Sequence, residues 1–199
     1  MKPVAGGASH EPFKGGECLT CHDAHGTNTK GMIVAKQDKL CFDCHSDVRD
    51  AMKGAKSRHK PVSAGECTKC HSPHQAKLAK LLLAQGPDLC LSCHKTLKEK
   101  MQKEKTHSPA ARDCLRCHAP HASGQGILLT QPVASLCVDC HDGKGPSFSK
   151  AHIGIPAPAM DCKSCHEPHA SKDPKFFKEK LHAPFAGRSC EECHTVEKR

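Results

Sequence analysis

Residues 66–74 read ECTKCHSPH, two thiols and two imidazoles within nine residues. Cysteine and histidine at this density are metal-ligating side chains. Thiols so placed hold zinc as thiolates, pair as disulfides, or are consumed in covalently attaching a larger group. All 16 cysteines of the 199-residue chain repeat the pattern. They fall as Cys18/Cys21, Cys41/Cys44, Cys67/Cys70, Cys90/Cys93, Cys114/Cys117, Cys137/Cys140, Cys162/Cys165 and Cys190/Cys193, each pair CxxC. A histidine follows every pair at once: His22, His45, His71, His94, His118, His141, His166 and His194.

Residues 18–44 have the spacing of a zinc ribbon. A four-thiolate zinc site, however, has no use for a histidine directly after each pair. With 17 histidines in the chain, eight out of eight by chance is on the order of one in a billion, and CxxCH is the attachment pattern of haem c. A row of CxxC pairs would otherwise be redox motifs, not a stabilising disulfide framework. The spacing suits the chemistry. Two intervening residues place both sulfurs along the vinyl edge of the ring, and the next residue reaches the iron from the proximal side. Eight covalent haem c groups, 16 thioether cysteines and eight proximal histidines follow.

The motifs alternate. Odd motifs start at Cys18, Cys67, Cys114 and Cys162, at steps of 49, 47 and 48 residues. Each carries a histidine three past the motif (His25, His74, His121, His169) and another upstream (His10, His59, His107, His152). Even motifs start at Cys41, Cys90 and Cys137, each preceded by leucine. The eighth motif is a hybrid, with His182 eight residues upstream and no histidine after it. The chain thus reads as one elongated eight-haem domain, residues 1–199, of four two-haem repeats: about 10–54, 55–105, 106–148 and 149–199.

This pattern resembles the doubled-CxxCH family of multihaem c-type cytochromes over residues 10–194. It is similar to the periplasmic cytochromes that feed porin–cytochrome conduits and, more distantly, to small electron donors of nitrite reduction. The resemblance implies low-spin, bis-histidine haems arranged as a wire. The hybrid eighth motif departs from the family unit.

The ligand count agrees independently. Nine histidines remain after the motif histidines are used: His10, His25, His59, His74, His107, His121, His152, His169 and His182. Eight distal positions need eight of them. Methionine is the other common distal ligand, but Met32, Met52, Met101 and Met160 share no offset. Two registers are open. In one, upstream histidines serve the odd haems and downstream histidines the even haems of the same repeat, leaving His182 spare. In the other, upstream histidines pass one repeat back, leaving His10 spare or bound to a neighbouring subunit; the offset of His182 favours this second register.

The elements that must position these ligands are short. Asp38, Asp88 and Ser135 are candidate N-caps before the even motifs. Residues 89–104 can run as one helix, as can residues 39–53 with Gly54 as the stop. Pro73, Pro120 and Pro168, two after the odd motif histidine, break any helix there. Residues 145–160 read as Gly/Pro-rich loop. The expected fold is a multihaem cytochrome c: mostly irregular, with short α-helices and little or no sheet, organised by eight haems. Trp and Tyr are absent and only six Phe occur, so haem burial must replace the usual aromatic core.

The side chains sum to +9. Haem propionates offset this charge, giving a net near +1 with all haems ferric. With almost no aromatics for base stacking, nucleic acid is not an expected partner. Residues 1–12 contain no apolar signal region, and the most apolar run, residues 78–84, is too short to span a membrane. Since haem c is attached outside the cytoplasm, a periplasmic or extracellular location is expected, the sequence being either a mature or engineered form with an added Met or one from which the signal has been removed.

Two function classes compete. An electron carrier has every axial position filled and tunes its centres by ligand and burial. Its partners would be other redox proteins: quinol-oxidising cytochromes, a porin–cytochrome conduit, extracellular acceptors, or copies of itself in a filament. A multihaem reductase of the nitrite, hydroxylamine or tetrathionate type needs one open iron, commonly marked by CxxCK or a catalytic tyrosine. Neither occurs here, which favours the carrier, with no catalytic residue.

Overall fold

The computed structural model describes residues 4–187 and 189. The eighth motif (Cys190, Cys193, His194) lies outside these residues. The chain forms two compact units, Met1–Cys93 with Asp113–Pro132, and His94–Arg112 with Val133–Arg199.

Regular structure comes in single turns and two-residue strands: β1 (Ala8–Ser9), β2 (Ser57–Arg58), β3 (Gln75–Ala76), β4 (Lys105–Thr106), β5 (Ala122–Ser123) and β6 (Ala170–Ser171). In the first unit β1 pairs antiparallel with β3 and β2 with β5; in the second, β4 pairs with β6. Little sheet was expected, and little is present, but these ladders carry the architecture. Each joins a strand just before an upstream histidine to a strand just after the downstream histidine of the following repeat. A backbone bond extends each ladder by one step: His10 N–H donates to His74 O (2.8 Å), His59 to His121 (2.9 Å) and His107 to His169 (2.8 Å).

Upstream histidines lead into one-turn helices, Glu11–Lys14, Lys60–Ser63, Ser108–Arg112 and Ala183–Gly187. A proline sits in the first turn of each (Pro12, Pro61, Pro109, Pro184), where its missing N–H costs nothing. Odd motifs follow as 3₁₀ turns (Cys18–Thr20, Cys67–Lys69, Cys114–Arg116, Cys162–Ser164).

Even motifs lie at the ends of α-helices Gln37–Phe42, Gly86–Leu91 and Val133–Val138. Three sequence expectations need correction here. The long helices over 39–53 and 89–104 are each broken at the motif, resuming as Ser46–Lys53 and Lys95–Lys103. The chain leaves the helical region at His45 (φ −97°, ψ 56°) and His94 (φ −81°, ψ 58°). Asp38 and Asp88 are not N-caps but first-turn residues, with Lys36 and Gln85 at the cap positions, and Ser135 lies within its helix. The two aspartates still complement the positive end of a helix. Residues 145–160, read as loop, contain the helix Pro146–Ala151 and the 3₁₀ turn Ala157–Ala159. Gly54 does end its helix, as expected.

No side-chain core forms among the described residues. The buried residues are Gly65, Ala157, Ala170 and Ser171, while Leu19, Ile127 and Ile153 stand mostly exposed. The polypeptide exposes 14554 Å², against about 9,200 Å² for an ordinary folded monomer of its mass. The polypeptide alone does not bury enough apolar surface to offset its ordering entropy.

Candidate metal centre

Each described motif is a tight turn that brings its histidine back over the first cysteine. The His22, His45, His71, His118, His141 and His166 N–H groups donate to the carbonyls of Cys18, Cys41, Cys67, Cys114, Cys137 and Cys162, at 2.9–3.0 Å.

The 14 described cysteines form no disulfide with one another. This holds for the first cysteines (Cys18, Cys41, Cys67, Cys90, Cys114, Cys137, Cys162) and equally for the second ones. Among the second cysteines, Cys21, Cys70, Cys117 and Cys165 are half-buried, whereas Cys44, Cys93 and Cys140 are exposed. The division follows the repeat: the second thiol is half-buried in every odd motif and exposed in every even one.

First cysteines of neighbouring motifs meet. Cys41 and Cys67 share a thiol hydrogen bond that draws Cys67 down to about 7 and pushes Cys41 up. Burial, together with the adjacent Cys114, pushes Cys90 up to about 11. Burial also pushes Cys70 up, with Cys93 close enough to add to it. Gln37 Nε2 donates to Thr68 Oγ1 at 3.1 Å across the Cys41–Cys67 contact.

The imidazoles are paired. Ring centres lie 6.1 Å apart for His10 and His45, 5.9 Å for His22 and His74, and 6.1 Å for His71 and His121 in the first unit. In the second they are 6.0 Å for His107 and His141, and 6.3 Å for His152 and His166. Two imidazoles on opposite sides of one metal ion, with bonds of about 2.0–2.1 Å and roughly 1.2 Å more to each ring centre, stand roughly 6 Å apart. Every pair joins a motif histidine to one outside the motifs. The separation fits one ion per pair, and the CxxC turn before each motif histidine fits attachment of a vinyl-bearing ring. A protein-only zinc site does not fit: no cluster of three or more Cys, His, Asp or Glu side chains converges on a metal-sized point among the described residues.

Hydrogen bonds orient the rings. His22 Nδ1–H donates to Gly31 O (2.8 Å), His71 to Lys80 O (2.8 Å), His118 to Ile127 O (3.1 Å) and His166 to Lys175 O (3.0 Å). On the facing side His10 donates to Pro73 O, His107 to Pro168 O and His152 to Phe148 O, each at 3.0 Å. A carbonyl can only accept, so Nδ1 carries the proton and Nε2 keeps the lone pair that binds metal. Burial holds His107 and His121 below the ordinary histidine range, and so neutral near pH 7.

These carbonyl partners were not legible in the sequence. They sit nine residues past each odd motif histidine, on turns that force ordinary residues into positive φ: Met32 (54°), Lys80 (55°), Leu81 (57°), Ile127 (49°), Leu128 (58°) and Phe176 (61°). The regular nine-residue spacing was the available signal. Phenylalanine was also underrated. Phe13 packs on His74 (5.1 Å), Phe176 on His107 (5.4 Å), Phe148 on His152 (4.1 Å) and Phe177 on His166 (4.8 Å).

Neither expected register describes the ring pairs. The upstream His10 and His107 face the even motif histidine of their own repeat, and the downstream His74 and His121 face the odd motif histidine of the repeat before. Only His152, opposite His166, follows the first register. The physical reason is the strand ladder, which ties each downstream histidine to the preceding repeat. His10, which the second register leaves spare, faces His45. His25 faces no motif histidine; its imidazole is 99% accessible and lies 3.8 Å from the Asp23 carboxylate. His59 and His169 occupy the same repeat positions as His10 and His74 and bond through their backbones in the same ladders. His182 immediately precedes its helix as His10, His59 and His107 do, whereas His152 follows the helix Pro146–Ala151, and the motif after His182 lies outside the described residues.

A family model described as the doubled CXXCH motif matches residues 10–50, 59–99, 107–146 and 156–181. These segments contain the first seven motifs. No curated protein matches the chain.

Proposed function

The chain belongs to the doubled CXXCH motif family of multihaem c-type cytochromes, and on that premise we propose that it carries electrons on eight bis-histidine haem c groups. The observation that carries this reading is the 5.9–6.3 Å spacing of five histidine pairs, each joining a motif histidine to a non-motif one. Haem c, when bound, supplies a one-electron ferric/ferrous couple.

The residues of the chain do the rest. All 16 cysteines are consumed as thioethers, which hold the ring in both redox states. The motif histidines occupy the proximal positions. His10, His74, His107, His121 and His152 hold the distal positions opposite their partners, and His59 and His169 take the same role by repeat position. Each donates Nε2 and keeps Nδ1–H on a backbone carbonyl where one is present, which raises ligand basicity and favours the ferric state. With both axial positions held, the residues leave no site for a substrate, so the protein acts as a carrier rather than a reductase.

The contacts between even and following odd motifs (Cys41 with Cys67, Cys90 with Cys114) bring successive attachment edges together, which suits electron passage between them. Among the described residues no helix is long and apolar enough to cross a membrane. Attachment of haem c outside the cytoplasm supports a periplasmic or extracellular setting, with redox proteins as donor and acceptor.

The test is electron paramagnetic resonance of the oxidised protein combined with a nitrite and hydroxylamine turnover assay. The carrier reading expects low-spin signals and no turnover. A high-spin iron at one per chain together with turnover overturns it in favour of a reductase.

A further inference from the structure

Four of the five facing imidazole pairs share one rule: among the described residues, a single ring of the pair donates Nδ1–H to a backbone carbonyl. The donors are His22 opposite His74, His10 opposite His45, His71 opposite His121 and His107 opposite His141. The fourth-repeat pair departs from it. His166 donates to Lys175 O and its partner His152 donates to Phe148 O, both at 3.0 Å. The second bond has its own construction. His152 caps the helix Pro146–Ala151, and its backbone N–H also goes to the Phe148 carbonyl one turn back, at 3.0 Å. That ring bond is half-buried, whereas those of the other four pairs are exposed.

Each such bond moves electron density towards Nε2. The more basic ligand stabilises ferric iron over ferrous and lowers the reduction potential. A bond shielded from water is electrostatically stronger, which adds to the effect of His152. Phenylalanine acts with the opposite sign, because an apolar surround disfavours the charge of the ferric state. Phe148 lies on His152 and Phe177 on His166, nearly parallel at 27° and 19°. Phenylalanine is also present on His74 and His107 in two of the other pairs. The feature found in the fourth repeat alone is the second hydrogen bond.

We propose that His152, held on the Phe148 carbonyl, makes the iron between His152 and His166 the lowest in potential of the five paired sites. The inference rests on the eight-haem reading above. The step concerned is a one-electron reduction, ferric to ferrous, with the electron supplied by a redox protein and no bond made or broken. An electron delivered at this site passes downhill to the other four, which makes the fourth repeat the donor's side of the chain. His152 is here a ligand, and the Phe148 carbonyl acts through it as a positioning group.

The experiment is a potentiometric titration of the haem-loaded full chain, followed by electron paramagnetic resonance and absorbance, with the covalent haem count checked. Five variants assign the components, each lacking one haem: Cys162→Ser/Cys165→Ser, and the same change at the first, second, third and sixth motifs. The component missing from Cys162→Ser/Cys165→Ser should have the lowest midpoint of the five; a lower midpoint for any of the other four overturns the proposal. A second measurement does not depend on those variants folding. His152→Gly should gain one high-spin iron per chain, which added imidazole or 1-methylimidazole returns to low spin. Imidazole, which has an N–H for the Phe148 carbonyl, should give the lower midpoint; 1-methylimidazole, which has none, should give the higher. Equal midpoints, no gain of high-spin iron, or an iron that neither base returns to low spin overturns the proposal. A haem count below eight in the unaltered chain instead overturns the underlying eight-haem reading.

Discussion

His22 and His74 face each other 5.9 Å apart, ring centre to ring centre, although they belong to successive repeats. The β1–β3 ladder sets this relationship by tying the segment after His74 to the segment before His10. His74, like His121 opposite His71, is therefore a rivet through the repeat before its own.

That arrangement makes a specific mutational forecast. His74→Ala should open the iron of the first motif, not that of its own motif, and produce about one high-spin iron per chain by electron paramagnetic resonance. In a Cys18→Ser/Cys21→Ser background, which removes the first haem, the same substitution should add no high-spin signal. A signal that persists there would place His74 on another haem.

The turn that supplies the His71 acceptor carries strain in the backbone. Lys80 is exposed and adopts φ 55°, a region where a Cβ is unfavourable by about 1–2 kcal/mol. Lys80→Gly should stabilise the holoprotein by about 1 kcal/mol in guanidinium unfolding, after allowance for the greater freedom of glycine in the unfolded chain. Unchanged or reduced stability would mean that the turn does not hold this conformation.

The odd-motif turns differ in how they are capped. Asp113 Oδ1 accepts from Leu115 N at 2.9 Å, whereas Glu66 makes no cap bond and pairs at 2.8 Å with the exposed Lys69. Asp113→Ala should therefore cost about 1 kcal/mol and Glu66→Ala less than about 0.5 kcal/mol. Equal losses in the same unfolding assay would contradict the assignment of the cap.

The near absence of a side-chain core has a direct consequence. The chain prepared without haem should give a far-ultraviolet circular dichroism spectrum dominated by disordered backbone, and it should show no cooperative thermal transition. A cooperative transition in haem-free protein would show that the polypeptide supplies its own core.

These forecasts separate what could be read from the residues from what could not. The CxxCH turns and the fixed offsets of His74, His121 and His169 were legible because covalent attachment imposes local spacing. The different exposure of the second thiols was not: Cys21, Cys117 and Cys165 are half-buried and Cys44 and Cys140 exposed, although all five sit in the same CxxCH frame. What separates them is the turn that follows, since odd motifs are folded over by the chain nine residues on. Pro73, Pro120 and Pro168 correctly marked where helices cannot continue. The pairing of His10 with His45 and of His22 with His74 was not legible, because it depends on two-residue ladders. Ala8–Ser9, Ser57–Arg58 and Lys105–Thr106 share no hydrophobic alternation, and two residues are too few to show a period. The helix over 89–104 was overextended for a related reason. Its side chains favour helix throughout, but the motif turn takes His94 out of helical geometry.

The central claim is that every cysteine is spent on haem attachment and every motif histidine on iron. Intact mass spectrometry of the denatured chain, with zinc measured on the same sample, tests it most directly. The account predicts the polypeptide mass plus eight haems, no alkylatable thiol and no stoichiometric zinc. An alkylatable CxxC pair, or zinc at two or more per chain, would contradict it.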